Sequence, residues 1–256
     1  MNNEYIFSLI QQDKRIDERK FDEYREIKIE TNISKNAEGS ARCKIGDTEV
    51  LVGVKMDVGE PYPDSPDEGT IIVTAELSPV ASPLFELGPP GSQATELARI
   101  VDRGIRESKA IDFKKLCVKK GEKIWMVMID AYSINNDGNL ADALGLAALA
   151  AIKDAKFPKY NEKTDTIDYN ERTSKGVDLK ELPIPITIIK IKDLFIIDPM
   201  LDEECASDAR LTVTSVADGR ICALQKGGNT PLTQEDVEKM VDLGIEKGKE
   251  LRKFFK

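Results

Sequence analysis

Residues 123–155 read KIWMVMIDAYSINNDGNLADALGLAALAAIKDA, and this stretch decides the fold class. From Lys123 to Ile134 it is dense in Ile, Val, Met and Trp125. The run is longer than a half-exposed strand needs, so it predicts a central strand. The turn Asn135–Asn139 follows, and Leu140–Ala155 is then almost all Ala, Leu and Gly145. That composition favours a slim helix able to lie very close to a neighbouring backbone or sheet. A buried strand joined by a short turn to a buried helix is an α/β plan.

Upstream, alternating apolar positions mark strands at Arg25–Ile33, Ala41–Ile45 and Glu49–Met56, the last two forming a hairpin across Gly46-Asp47. Thr70–Leu77 is another strand, and the Pro-rich run from Pro79 to Pro90 predicts an irregular, stiff loop. Ser92 is placed to cap a helix reaching Ala110, with Ala94, Leu97, Ala98, Val101 and Ile105 as its apolar stripe. Downstream, Lys156–Glu181 is polar and charged with little periodicity, which reads as a linker or exposed excursion and places a domain boundary there. The second half repeats the grammar of the first. Strands are expected at Ile184–Ile191, Phe195–Asp198, Leu211–Val216 and Arg220–Gln225, the last pair around Asp218-Gly219. A helix then starts at Thr233, where Thr233 and Asp236 make a capping box and Val237, Met240, Val241, Ile245 and Leu251 form the buried stripe.

At 256 residues and 41% hydrophobic content, the chain can bury a full core without crosslinks. No stretch approaches the roughly 18 consecutive apolar residues of a membrane span, and Met1–Arg15 lacks the basic-then-apolar order of a signal peptide. A cytoplasmic protein without membrane association is expected. Cys43, Cys117, Cys205 and Cys222 lie far apart with no CxxC spacing, so neither a zinc site nor a disulfide framework is indicated; the thiols should be reduced and mostly buried. The sequence has no histidine, which excludes Ser-His and Cys-His nucleophile pairs and His-ligated metals. No cofactor or metal is expected. The net charge of −9 argues against nonspecific coating of nucleic acid. Charge is nevertheless sorted along the chain. Asp57–Ala98 holds eight acidic residues and no Lys or Arg, whereas Arg99–Lys123 holds nine basic residues against four acidic ones.

Three groups of residues could carry chemistry. Arg99, Arg103 and Arg106, spaced by four and three, share one helix face away from the Leu97–Val101–Ile105 stripe, and three guanidinium forks in a row suit a phosphate backbone. A solvated face held by Asp102–Arg106 and Arg103–Glu107 pairs is the bland alternative. Asp198, Asp202, Glu203, Glu204 and Asp208 lie close enough in sequence to bind a divalent cation or supply a general acid, or simply form a solvated turn. Gly88-Pro89-Pro90-Gly91-Ser92 superficially matches a phosphate-cradling loop, but two prolines remove two N–H donors and favour a rigid lead-in to the helix. Asn136-Asp137-Gly138-Asn139, ahead of the Ala-rich helix, is the better anion nest, although no Arg or Lys adjoins it in sequence.

Read in order, several strings carry a resemblance over nearly the whole chain: Lys14–Arg19 (KRIDER), Pro61–Asp64 (PYPD), Ala81-Ser82-Pro83, Gly88–Gly91 (GPPG), Glu96–Ser108 (ELARIVDRGIRES), Asp137–Asp142 (DGNLAD) and Ala223–Gly228 (ALQKGG). Together the chain resembles the RNase PH superfamily, and within it most closely the non-catalytic RNase PH-like subunits of archaeal exosomes. The resemblance implies an α/β (α+β) fold of two similar strand-hairpin-plus-helix halves. It places an N-terminal extension at 1–24, the first half at 25–160, a linker or excursion at 161–182 and the second half at 183–256. It also implies a trimer of heterodimers with a catalytic RNase PH-like partner, closing a six-membered ring. Single-stranded RNA would enter its central channel beneath RNA-binding cap subunits and be phosphorolysed from the 3′ end.

In catalytic members of the family the turn before the second long helix reads Gly-Thr-Arg or similar, and its Arg grips the attacking phosphate; here the triplet is Gly138-Asn139-Leu140. Asp208 falls near the catalytic aspartate of relatives, but a lone carboxylate does not restore a phosphate grip. The Arg-bearing helix lies near the RNA channel in the family, which points to Arg99, Arg103 and Arg106 as RNA contacts. The expectation is a structural, RNA-binding subunit without catalytic residues of its own. One alternative is an active phosphate-dependent 3′→5′ exoribonuclease using Asp208 and the Asn136–Asn139 turn. Another is a nucleotide-binding enzyme using Gly88–Ser92.

Overall fold

The Gly46-Asp47 turn closes a two-residue hairpin, and Gly46 takes φ +57 there, a left-handed conformation in which a side chain is strained. The hairpin joins β2 (Gly39–Ile45) to β3 (Thr48–Gly59), with Ile45 opposite Thr48. The computed structural model describes residues 3–255. Met1 and Asn2 of the expected N-terminal extension, and Lys256 at the end of the second half, lie outside the described residues.

The first sheet runs β1-β2-β3-β6-β4, where β1 is Ile27–Thr31, β4 is Thr70–Leu77 and β6 is Lys123–Asn135. A short strand β5 (Cys117–Lys119) also pairs with β6. Helix α2 (Ser92–Glu107) lies in the crossover between the parallel strands β4 and β6. β6 is central, flanked by β3 and β4, as its length predicts. Only one of its faces is sealed along its length, however: Val127, Ile129 and Ala131 are buried, while Tyr132 and Ile134 on the other face reach solvent. The unbroken apolar run therefore reflects one core face and one apolar outer face, not burial on both.

The second sheet runs β10-β9-β11-β12, from β9 (Ile184–Ile191), β10 (Leu194–Ile197), β11 (Ala209–Ser215) and β12 (Ile221–Gly227). It is covered on both faces. Adjacent residues of β11 show this, since Val213 packs under Gly244 of α5 (Gln234–Leu251) and Thr214 packs under Gly104 of α2. Helix α3 (Leu140–Asp154) sits between the two sheets, buried all round from Leu140 to Ile152. Gly145 is what lets it in: a Cβ there would collide with the ring of Pro185 on β9. The Thr233–Asp236 capping box forms as predicted and opens α5.

Three features depart from the sequence reading. Residues 156–176 are an exposed excursion rather than a linker, but a regular one: a hairpin of β7 (Lys156–Asn161) and β8 (Thr166–Gly176), which leans on the first half through Trp125, whose ring lies 5.2 Å from that of Phe157. Ser92 does not cap α2; Gly91 is the N-cap residue and no side chain caps it. Among the thiols only Cys43 is buried, and Cys205 is exposed; all four are free. The N-terminal segment packs on the second sheet, where Ile6 and Ile10 of α1 (Asn3–Ile10) join Ile189, Ile191 and Ile196.

Candidate nucleic-acid interface

Helix α2 has a sharply divided surface. Ala94, Leu97, Ile100, Val101, Gly104 and Ile105 are buried, and Arg99, Arg103 and Arg106 stand exposed on the other side. Glu96 fixes the helix to the second sheet by accepting from Arg210 (2.7 Å) and Gln225 (3.2 Å). The three arginines are not equivalent. Arg106 is occupied: it pairs with Asp102 (2.9 Å), donates to the Ile71 carbonyl and lies 5.6 Å from the centre of the Phe113 ring. Arg99 and Arg103 have no hydrogen-bond or ion-pair partner among the described residues, and the Arg103–Glu107 pair that the spacing allows does not form. Both line a groove of about 440 Å³ between α2 and β4, floored by Val73, Ala75 and Ala98. Two unpaired guanidinium groups beside an apolar floor suit a polyanion that also carries flat apolar faces.

The turn before α3 is built differently from an open anion nest. Gly138 takes φ +86, and a Cβ there would strike the backbone of Pro199 and Leu201, so glycine is required. Asn139, also left-handed at φ 58, donates its backbone N–H to Glu204 Oε1 at 2.8 Å. A carboxyl of the chain itself thus takes the anion's place at the helix N-terminus. The sequence offers no Arg or Lys beside this turn, yet the fold supplies one from 112 residues away. Arg25 donates to the Asp137 carbonyl (2.7 Å) and carboxylate (3.0 Å), and its fork closes on both Asp198 oxygens at 2.8 and 2.9 Å. Its charge is therefore already compensated. Leu140, which stands in the Gly138-Asn139-Leu140 triplet, is buried.

Asp198, Glu203, Glu204 and Asp208 are each committed to partners within the protein and do not form a common cation position. Asp198 is fully buried under Arg25, Arg19 and Asn139, and Glu203 is paired with buried Arg15 at 2.6 Å. Glu204 serves Asn139, and Asp208 accepts the Lys192 N–H at 2.6 Å. Among the described residues no three His, Cys, Asp or Glu side chains converge on a metal position. The Gly88–Ser92 loop is exposed, with its glycines in open space, and forms no cradle.

Burial pushes the Glu204 carboxyl up to about 7, against the pull of the Asn139 N–H, Arg210 and Arg25; burial likewise pushes Asp142 up to about 6. A carboxyl with a raised folded-state pKa contributes stability that is complete below its unfolded value and lost as pH rises through the folded one. Glu204→Gln keeps the acceptor for Asn139 and removes the charge. Its melting temperature should match the parent near pH 5 and exceed it by a few degrees near pH 8. A constant difference across that range would show that Glu204 is not buried as an acid.

With this geometry in place, comparison with known proteins is decisive. The 3′ exoribonuclease (RNase PH) family matches with its first domain over residues 23–158 and its second over residues 181–247. The chain belongs to that family. It is 47% identical over 256 residues to the exosome complex component Rrp42 of Methanosarcina mazei, covering 98% of this chain and 92% of that protein. Its fold superposes on a chain of the Archaeoglobus fulgidus exosome with RNA bound to the active site at TM-score 0.92 and 44% identity, covering 99% of this chain and 97% of that one. A chain of an archaeal exosome core gives TM-score 0.87 at 40% identity, covering 99% and 95%. The expected α/β fold of RNase PH type is thereby established. Among the described residues, no helix is long and apolar enough to cross a membrane.

Proposed function

We propose that the chain is the RNA-contacting, non-catalytic RNase PH-like subunit of an archaeal-type exosome ring. It would pair with a catalytic RNase PH-like subunit in a cytoplasmic trimer of heterodimers beneath RNA-binding caps. The observation that carries the non-catalytic reading is the filled N-terminus of α3. Phosphorolysis needs a held phosphate, and here Glu204 takes the Asn139 amide, Leu140 replaces the gripping Arg and Arg25 is spent on Asp198. Whether ionised or not, the Glu204 carboxyl occupies the amide that a phosphate at this helix N-terminus would need.

Assembly has its own support. β4 is an open sheet edge, and beyond it the Pro-rich loop exposes Val80, Leu84 and Leu87 at 78%, 71% and 89%. Apolar side chains that far into water suit a subunit contact. The isolated chain, incubated with 3′-tailed RNA and inorganic phosphate, should release no nucleoside diphosphate, whereas the mixture with its catalytic partner should. Phosphate-dependent release by the isolated chain would establish the enzyme reading in its place. Native mass spectrometry of the same mixture should show hetero-oligomer; monomer alone would remove the ring.

A further inference from the structure

Arg106 lines the α2 groove near the helix C-terminus. That side chain also lines a second cleft, of about 750 Å³, on the far side of the helix C-terminus. Its rim carries Tyr62, Lys109, Lys114, Lys180 and Arg220, drawn from four separate parts of the chain. Two of these cations are engaged: Lys180 pairs with Asp112 at 2.7 Å, and Arg220 reaches Glu181 at 3.6 Å. Lys109 and Lys114 are exposed and have no ion-pair partner among the described residues. Tyr62 is 59% exposed and presents an aromatic ring at the cleft wall. Three acids also line the cleft: Asp112 and Glu181, already held by Lys180 and Arg220, and Glu68 of the Tyr62 segment.

We infer that this cleft is a second phosphate-binding stretch, continuing the Arg99–Arg103 track so that one single-stranded polynucleotide runs from Arg99 past Arg106 to Lys109 and Lys114. The inference rests on the RNA-contacting reading of α2 and extends its length. Arg99 and Arg106 are seven residues apart, about 10 Å along the helix axis, and the shared side chain sets the two concavities side by side. The chemistry is that of a sequence-tolerant strand site: unpaired cations for phosphates and an exposed ring for a base. A free mononucleotide would need only one of the two concavities. The strand uses both.

Length dependence tests this in the assembled ring. Salt titrations would use two unstructured oligonucleotides, one of about 3 nucleotides, matching the roughly 10 Å of the first stretch at about 3.4 Å per nucleotide, and one of about 16, long enough for both. Lys109→Ala with Lys114→Ala should lower the salt slope on the longer RNA by about 1.4 and leave the shorter one unchanged. Arg99→Ala with Arg103→Ala should weaken both. If the lysine pair binds both RNAs as the parent does while the arginine pair is impaired, the track stops at Arg106 and the inference fails alone. If neither variant is impaired, the RNA reading of α2 fails with it. A lysine variant that weakens short and long RNA equally, or that loses ring assembly, would also overturn it.

Discussion

Arg25→Ala is expected to cost about 3 kcal/mol of folding stability, a fall in melting temperature of roughly 6–12 °C for a chain of this size. Arg25 holds three things together: the turn before α3 through the Asp137 carbonyl and carboxylate, the Gly138 carbonyl, and both oxygens of Asp198 at the end of β10. Asp198 is inaccessible to solvent, so removing its bidentate partner leaves a buried carboxylate with only Arg19, Asn139 and the Arg25 amide. Burial pushes the Asp198 acid up, but the hydrogen bonds and charge of Arg25 outweigh it and leave it below the usual carboxylate range. A depressed folded-state pKa contributes stability present above the unfolded value of about 4 and lost as pH falls through the folded one. The gap between parent and variant should therefore close in acid. Asp198→Asn supplies the control, because in that background Arg25→Ala should cost much less. Equal costs with and without the Asp198 charge would show that Arg25 acts by packing alone.

The same residue marks where reading the sequence runs out. Strands β2, β3, β4 and β9 and helices α2, α3 and α5 announce themselves by local periodicity, turn residues and caps, because their burial is decided by neighbours a few positions away. Arg25 gives no such signal: one cation ahead of a strand meets Asp198 only after the two halves close, 173 residues apart. Glu204 is alike, one acid among five until the fold brings it to Asn139. The β7–β8 hairpin was hidden for a different reason. Most of its residues face solvent, so no apolar alternation is required, and cross-strand pairs such as Lys159–Glu171 at 2.8 Å accompany the backbone ladder. The spacing of Arg99, Arg103 and Arg106 was legible, but spacing alone does not show which arginine is free.

That difference among the arginines sets the last expectation. Arg99→Ala with Arg103→Ala should lower the magnitude of the salt slope for single-stranded RNA on the assembled ring by about 1.4, at roughly 0.7 per phosphate contact. Binding should weaken for all sequences alike, since the guanidinium groups face a groove and not a base-reading pocket. Arg106→Ala should change the slope less, because Asp102 at 2.9 Å already offsets its charge. Folding and assembly should survive the double change. Both side chains are exposed and unpaired among the described residues, and the buried face of α2 keeps Leu97, Ile100, Val101 and Ile105. Degradation by the ring, followed on the same RNAs, should slow at low RNA concentration and recover toward the parent rate at saturation, the pattern of lost binding rather than lost chemistry. An intact ring with unchanged affinity and slope would reduce these arginines to the solvated face of a helix. An unchanged affinity with a slower rate at saturation would move them from holding RNA to positioning its 3′ end.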